Sequence, residues 1–408
     1  MHNNERAWEV GVKIGWSIFT VLIGLLAIGV VQAGETEAPN WVSESVSVQF
    51  PEAEIELTLD DGIQHVVEKA LDAAMTNYHP EAAWAIVEKV STGEILAMAS
   101  RSGKGGNEAG GSLQSASANL AVGAIFEPGS IFSVGVIAAA INEGLISTND
   151  LFDCENGEWS YEGKPLKDFH PYGTLDVTGI LRKSSNIGTA KIAVMLGEER
   201  LLRYLSAFGF GRPTGIEISD EESGRLHPLS KWGKVDITRV AMGHTQTVTA
   251  LQMLNMICCI GNDGSLMKPH LVEKVVGKGG EILMKKKPEV VAQPISVSTA
   301  KLMRNMLVEV TREGGTGTRA AVKDFNVAGK TGTAEKIKDG RYVANENVAS
   351  FMGILPAERP EIGIIVVLDN PQPMRTGSVS AAPVFAQIAE AVVSHLGIRS
   401  VDPSLNGE

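Results

Sequence analysis

The chain has 408 residues, 44% hydrophobic and 21% charged, a globular composition with enough length to bury one large core or two modest ones. Its 36 Lys and Arg against 48 Asp and Glu give a formal net charge of -12, which argues against nucleic acid, since a phosphate backbone calls for a cationic excess. The 8 histidines are scattered with no pair at metal-ligand spacing, so neither a metal nor another cofactor is expected.

Residues 14–33 carry no charge, and twenty such residues are long enough to cross a hydrocarbon core of roughly 30 Å as a helix. Arg6 and Lys13 precede the stretch, while Glu35 and Glu37 follow it. The positive-inside rule then puts residues 1–13 in the cytoplasm and the rest outside. This predicts a single-pass anchor in the inner (cytoplasmic) membrane with an extracytoplasmic folded part. Val31-Gln32-Ala33 also resembles a signal-peptide cleavage site, although the apolar run exceeds a usual signal core. Both readings export residues 34–408.

Residues 34–55 are polar and acidic, a linker; 56–398 read as the folded domain and 399–408 as a tail. Residues 57–60 look like a short strand. From Asp61, apolar residues at Ile63, Val66, Val67, Ala70, Leu71 and Ala74 predict an amphipathic helix. Residues 83–88 and 94–99, split by Ser91-Thr92-Gly93, predict a hairpin. The glycine-rich segment 102–112 lacks Gly-Lys-Ser/Thr and reads as a loop rather than a phosphate cradle. A helix follows Ser130, and helical stretches are expected at 176–208, 236–260 and 296–312. Residues 325–328, 350–355 and 361–368 read as strands and 383–396 as a closing helix. The fold class expected is α/β (α+β), an antiparallel sheet flanked by helices plus a mostly helical lobe. Cys258 and Cys259, adjacent in an apolar helical pattern, read as core filler.

Three short motifs fall in order: Ser130-Ile131-Phe132-Ser133, Ser184-Ser185-Asn186 and Lys330-Thr331-Gly332. Taken singly, each has an ordinary reading. Ser130 after Pro128-Gly129 can be a helix cap, the second motif a cap before its helix, and the third a solvated turn at a strand end. In this order they match the Ser-x-x-Lys, Ser-x-Asn and Lys-Thr-Gly of serine acyl enzymes, except that Ser133 stands where the lysine belongs.

Their surroundings resemble the transpeptidase domain of class B penicillin-binding proteins over roughly residues 56–396. The resemblance rests on Glu127-Pro128-Gly129-Ser130, SSNIGTAKIA from Ser184, FGFGRPTGI from Phe208, Val248-Thr249-Ala250-Leu251-Gln252, and GGTGTRA followed by VAGKTGTAEK. It implies a β-lactamase/transpeptidase-like fold and acyl transfer on peptidoglycan stem peptides ending in D-Ala-D-Ala, or on the β-lactams that mimic them. In that reading the candidate catalytic residues are Ser130, the nucleophile, Ser184, which passes a proton to the leaving group, and Lys330, which supplies positive potential. Asn186 holds the peptide amide, and Thr331 and Thr333 bind the terminal carboxylate. Gly332 lets substrate lie close, and the N–H groups of Thr333 and Ser130 form the oxyanion hole.

Ser133 is the departed position. Residues i and i+3 share a helix face, so a lysine there would reach back to deprotonate the serine, and a serine hydroxyl cannot. Ser298-x-x-Lys301 matches the pattern literally but opens the helix before the GGTGT turn and reads as chance, while Lys330 could itself take the proton at the cost of its field. Two further departures are the absence of a pedestal domain after the anchor and Gly243-His244-Thr245-Gln246 in place of a Gly-Gln-Gly type run. Three functions remain: a membrane-anchored D,D-transpeptidase or carboxypeptidase with weakened acylation, a silent relative that binds peptidoglycan or scaffolds cell-wall synthesis or division proteins, and a β-lactam sensor.

Overall fold

The centre of the fold is a five-stranded, wholly antiparallel sheet made of β1 (Ala82–Lys89), β2 (Ile95–Ser102), β3 (Ala328–Lys338), β4 (Arg341–Leu355) and β5 (Ile362–Asp369), in the order β3-β4-β5-β1-β2. A computed structural model describes residues 53–103, 119–338 and 340–400. The anchor predicted at 14–33, most of the linker, the glycine-rich loop beyond Gly103 and the tail beyond Ser400 lie outside the described residues. Among the described residues no helix is long and apolar enough to cross a membrane.

The inner strands are apolar on both faces because both faces are covered. On β1, Trp84 and Ile86 point into one core while Ala83, Ala85 and Val87 point into the other; Ile365 and Val367 of β5 divide from Ile364, Val366 and Leu368 in the same way. The helices run α1 (Asp61–Tyr78), α2 (Ser133–Asn142), α3 (Val177–Lys183), α4 (Asn186–Leu196), α5 (Glu198–Ala207), α6 (Asp236–Ala241), α7 (Ala250–Gly261), α8 (Val297–Thr311) and α9 (Ala381–His395). Helices α1 and α9 cover one face of the sheet. On the other, α7, buried along its whole length, separates the sheet from a lobe built on α2.

The helix predicted from Asp61 forms, with Asp60 as its cap accepting from the Ile63 N–H and the predicted apolar stripe inward except for Val66, which is half-buried. The long helical stretches are broken. Ser184 and Gly197 adopt positive φ, splitting 176–208 into α3, α4 and α5, and residues 242–249 interrupt 236–260 around Gly243. The early strand sits at Glu54–Leu57 instead of 57–60 and pairs with Val272–Val276. Strand β3 starts where 325–328 was expected to end, so Lys330-Thr331-Gly332 lies inside a strand. The first half of β4 was not visible in the sequence because it is exposed and carries no apolar alternation.

One carboxyl is sealed in the core. Glu88, at the end of β1, is 1% exposed beneath α7, and burial pushes its carboxyl up to about 8, against a bond to the Cys258 thiol that pulls it down. With its amide oriented to satisfy both ends, Asn255 donates to Glu88 Oε2 at 3.1 Å. From about pH 4.5 to 8 the folded state keeps a proton that the unfolded chain releases, so stability falls as pH rises through that window and levels above it. Melting curves at pH 5 and pH 8 are expected to differ by several degrees in the wild type. In Glu88→Gln the difference shrinks by at least half.

Candidate active site

The turn that carries Ser130 is wedged between two backbones. Phe126 pairs with Val248 through both of its backbone groups, and the Gly129 N–H donates to the Gly243 carbonyl at 3.2 Å. Gly129 has φ 59°, and a Cβ there would stand 2.8 Å from the Thr333 carbonyl; Gly243, with φ 77°, presses directly on the Gly129 backbone. Only glycine fits either position. Ser130 lies in a 3-10 turn, Gly129–Phe132, that runs into α2, so the helix proper begins at Ser133 and not at Ser130 as expected. Ile131 and Phe132 are fully buried and anchor the turn.

Ser133 is buried, and its hydroxyl donates back to the Ser130 carbonyl at 2.7 Å. It satisfies the helix backbone and presents no basic nitrogen to Ser130.

In the second motif each residue has its own task. Ser184 ends α3 in the left-handed region with φ 57°. Ser185 caps α4 through the Gly188 N–H at 3.0 Å and donates to Asp168 at 2.7 Å, while the other Asp168 oxygen accepts from the Ile187 N–H. The cap expected of this motif is thus the middle serine, which frees Ser184. Asn186 Nδ2 donates to the Lys167 carbonyl at 3.0 Å.

Lys330 joins the motifs. It is completely buried, and its Nζ donates to Ser184 Oγ at 2.8 Å and to the Thr331 carbonyl at 3.1 Å. Burial pushes the amine down to about 7, and no charged partner offsets it. Ser130, Ser133, Ser184, Asn186 and Thr189 line one small cavity, floored by Ala241 and Met242. The first two motifs therefore share one cavity, and the third is linked to it through Ser184.

The other expected residues have partners within the fold. Thr331 Oγ1 is 2.9 Å from Thr316 Oγ1, and Thr333 Oγ1 accepts from the Gly377 N–H at 3.1 Å, so both hydroxyls already have partners. Gly332 faces Ser350 Oγ, with Ile131 and the Pro128 carbonyl within 3.1 Å of where a Cβ would sit. Its lack of a side chain is required by the packing of the nucleophile turn. Ser298 and Lys301 are both exposed on α8, away from this cavity.

Several participants were not singled out as site residues in the sequence. The end of α3 is tied to the 313–317 turn: Arg182 donates to the Glu313 carbonyl, Lys183 to the Gly314 carbonyl at 2.8 Å, and the Thr316 N–H to the Arg182 carbonyl. Glu127, nearly buried, accepts from the Thr245 N–H at 2.8 Å, lies 2.9 Å from His244 Nδ1 and takes the Tyr342 hydroxyl at 3.2 Å. Burial and the Glu127 carboxylate push the Tyr342 phenol up to about 12, leaving it a donor. His244 is thereby the ring partner of Glu127 at the foot of the nucleophile turn.

Gly243→Ala tests the wedge. It is expected to lower the melting temperature by several degrees and to abolish any acylation at Ser130, as read by intact mass after incubation with penicillin, since the new methyl group collides with Gly129.

Comparisons with known proteins identify the family of the chain. Residues 83–390 match the family described as "Penicillin binding protein transpeptidase domain". Stage V sporulation protein D of Bacillus subtilis is 32% identical over 351 residues, which are 85% of this chain and 54% of that protein. The probable peptidoglycan D,D-transpeptidase PenA of Neisseria gonorrhoeae is likewise 32% identical, over 86% of this chain and 58% of its own length. The chain therefore spans little more than half the length of these curated relatives. Penicillin-binding protein 3 of Mycobacterium tuberculosis, solved in complex with ampicillin, superposes with a TM-score of 0.79 at 31% identity, covering 87% of this chain and 81% of that one. The transpeptidase domain of Burkholderia pseudomallei penicillin-binding protein 3 gives 0.75 at 28% identity, covering 85% and 98%. This chain belongs to the penicillin-binding protein transpeptidase domain family.

Proposed function

We propose that the protein is a membrane-anchored penicillin-binding protein of peptidoglycan synthesis. Ser130 attacks the carbonyl of a D-Ala-D-Ala stem peptide, or of a β-lactam, and forms an acyl-enzyme slowly for want of a lysine at 133. The observation that carries this reading is the Lys330–Ser184 hydrogen bond in register with a cavity that also holds Ser130. Relatives named peptidoglycan D,D-transpeptidases, and a structural relative solved with ampicillin, support the substrate class.

Residues 14–33 anchor the chain in the cytoplasmic membrane and put the cleft outside the cytoplasm, where stem peptides are cross-linked. A second reading, a silent relative that binds peptidoglycan or scaffolds cell-wall synthesis proteins, draws on one observation: the Ser133 hydroxyl is spent on the Ser130 carbonyl.

Labelling with a fluorescent penicillin separates the two. Slow labelling of the wild type, none of Ser130→Ala, and a gain of about 100-fold or more in the rate for Ser133→Lys are expected of the enzyme. Absence of label in Ser133→Lys, with its fold intact by melting, favours the silent binder. The full-length chain is expected in the membrane fraction, released by detergent and not by high salt.

A further inference from the structure

The nucleophile turn lacks its customary base, yet a buried lysine is bonded to a hydroxyl that lines the cavity of Ser130. We propose that Lys330, acting through the Ser184 hydroxyl, accepts the Ser130 proton in this chain. This rests on the acyl-enzyme reading above and assigns the step that reading leaves open.

Three observations carry it. First, Ser133 is excluded, because its hydroxyl is directed at the Ser130 carbonyl and has no affinity for a proton at neutral pH. Second, Ser184 lines the same cavity as Ser130 and is 2.8 Å from Lys330 Nζ, so the hydroxyl nearest the amine also faces the cavity of the nucleophile. Ser184 is free for this because Ser185 does the capping. Third, Lys330 is fully buried with no carboxylate beside it, and burial holds its amine at about 7, where a large fraction is neutral at physiological pH.

Most charged groups on the surrounding elements are otherwise engaged, and Lys301 of α8 and Glu335 of β3 are exposed to solvent. On α3, Arg182 and Lys183 bind the carbonyls of Glu313 and Gly314. On α8, Glu309 pairs with Arg312 and Arg304 with Asp263. Asp168 is held by Ser185 and the Ile187 N–H, Lys191 of α4 by Glu155, and Glu127 by His244, Thr245 and Tyr342. Along β3, Lys336 pairs with Glu81 and Asp369, and Lys338 with Glu346.

The step balances without another reactant. As Ser130 Oγ bonds to the carbonyl carbon, its proton passes to Ser184 Oγ and the Ser184 proton to Lys330 Nζ, giving an ammonium. The C–N bond then breaks, and the same chain run backwards delivers one proton to the departing nitrogen and returns the amine to neutrality. A lysine used only as a fixed positive charge predicts the opposite pH dependence. Its contribution disappears as the amine deprotonates, whereas a base gains.

The test is the second-order rate of penicillin acylation from pH 5.5 to 9, followed by fluorescent label and corrected with Ser130→Ala. The wild-type rate is expected to rise through a midpoint near 7 and hold to pH 9. His244→Gln is expected to keep that midpoint, which separates Lys330 from the imidazole beside the turn. Lys330→Arg, which keeps the charge and cannot release a proton, is expected to lose more than tenfold, and adding Ser133→Lys to it to regain at least tenfold. A wild-type rate that falls through pH 7, a midpoint that shifts in His244→Gln, or Lys330→Arg within tenfold of wild type overturns the proposal. The wild-type profile decides the matter even if Lys330→Arg does not fold. A wild type that labels at Ser130 with a rate that is flat or falls through pH 7 overturns the relay and leaves the acyl-enzyme reading standing. A wild type silent at every pH, whether or not Ser133→Lys labels, defeats that reading itself.

Discussion

The contact on which the rest of the structure depends is that of the nucleophile turn against strand β3. Two backbones approach closely there, at Gly129 and Thr333 and again at Gly332 and Pro128, with Gly243 pressing from the far side. No hydrophobic side chain could hold the two layers this near, because a single Cβ at any of the three glycines meets main-chain or hydroxyl atoms. The helical lobe and the sheet are thus joined through atoms that cannot adjust, and the position of Ser130 follows from the sheet rather than from its own helix. Ile131 and Phe132 make the joint energetically favourable by burying beneath it, and α2, apolar all round, is the helix such a burial requires.

A second joint lies behind the first and is polar. The end of α3 is tied by Arg182 and Lys183 to carbonyls of the turn that precedes β3, and Thr316 in that turn meets Thr331. The tie positions Ser184 over Lys330. Leaving an amine in a dry site without a carboxylate costs stability in its charged form, and the fold keeps it there, with only a hydroxyl and a carbonyl as acceptors. Such uncompensated burial is the pattern of a group retained for chemistry rather than for the core.

Much of the plan could be read from the sequence because its cause was local. The stripe from Ile63 to Ala74 has helical period, the runs in β1 and β5 are apolar and short, and the three motifs keep their order. What escaped had its cause elsewhere in the chain. Asp168 supports Ser185 from an exposed turn, Glu127 finds His244 and Tyr342 far along the chain, and nothing periodic marks any of them. Gly332 was legible as a glycine position, but its packing reason was not, since Ser350 and Ile131 come to it only in three dimensions. The broken helices were missed for a similar cause: Ser184 is not a residue that announces a left-handed backbone.

Because β3 is the outer strand of the sheet, a cleft built along it leaves a row of backbone groups without a neighbouring strand. An exposed edge is a template for association with another chain, and a protein that needs the edge open for its own use has to protect it by other means. Beyond the motif the strand turns polar and charged, with Lys336 held between Glu81 and Asp369 and Lys338 held by Glu346. Just before that charged stretch the Ser130 turn stands over Gly332 and Thr333. The strand is therefore guarded against self-association by a packed turn and by fixed charge, side by side along its outer half.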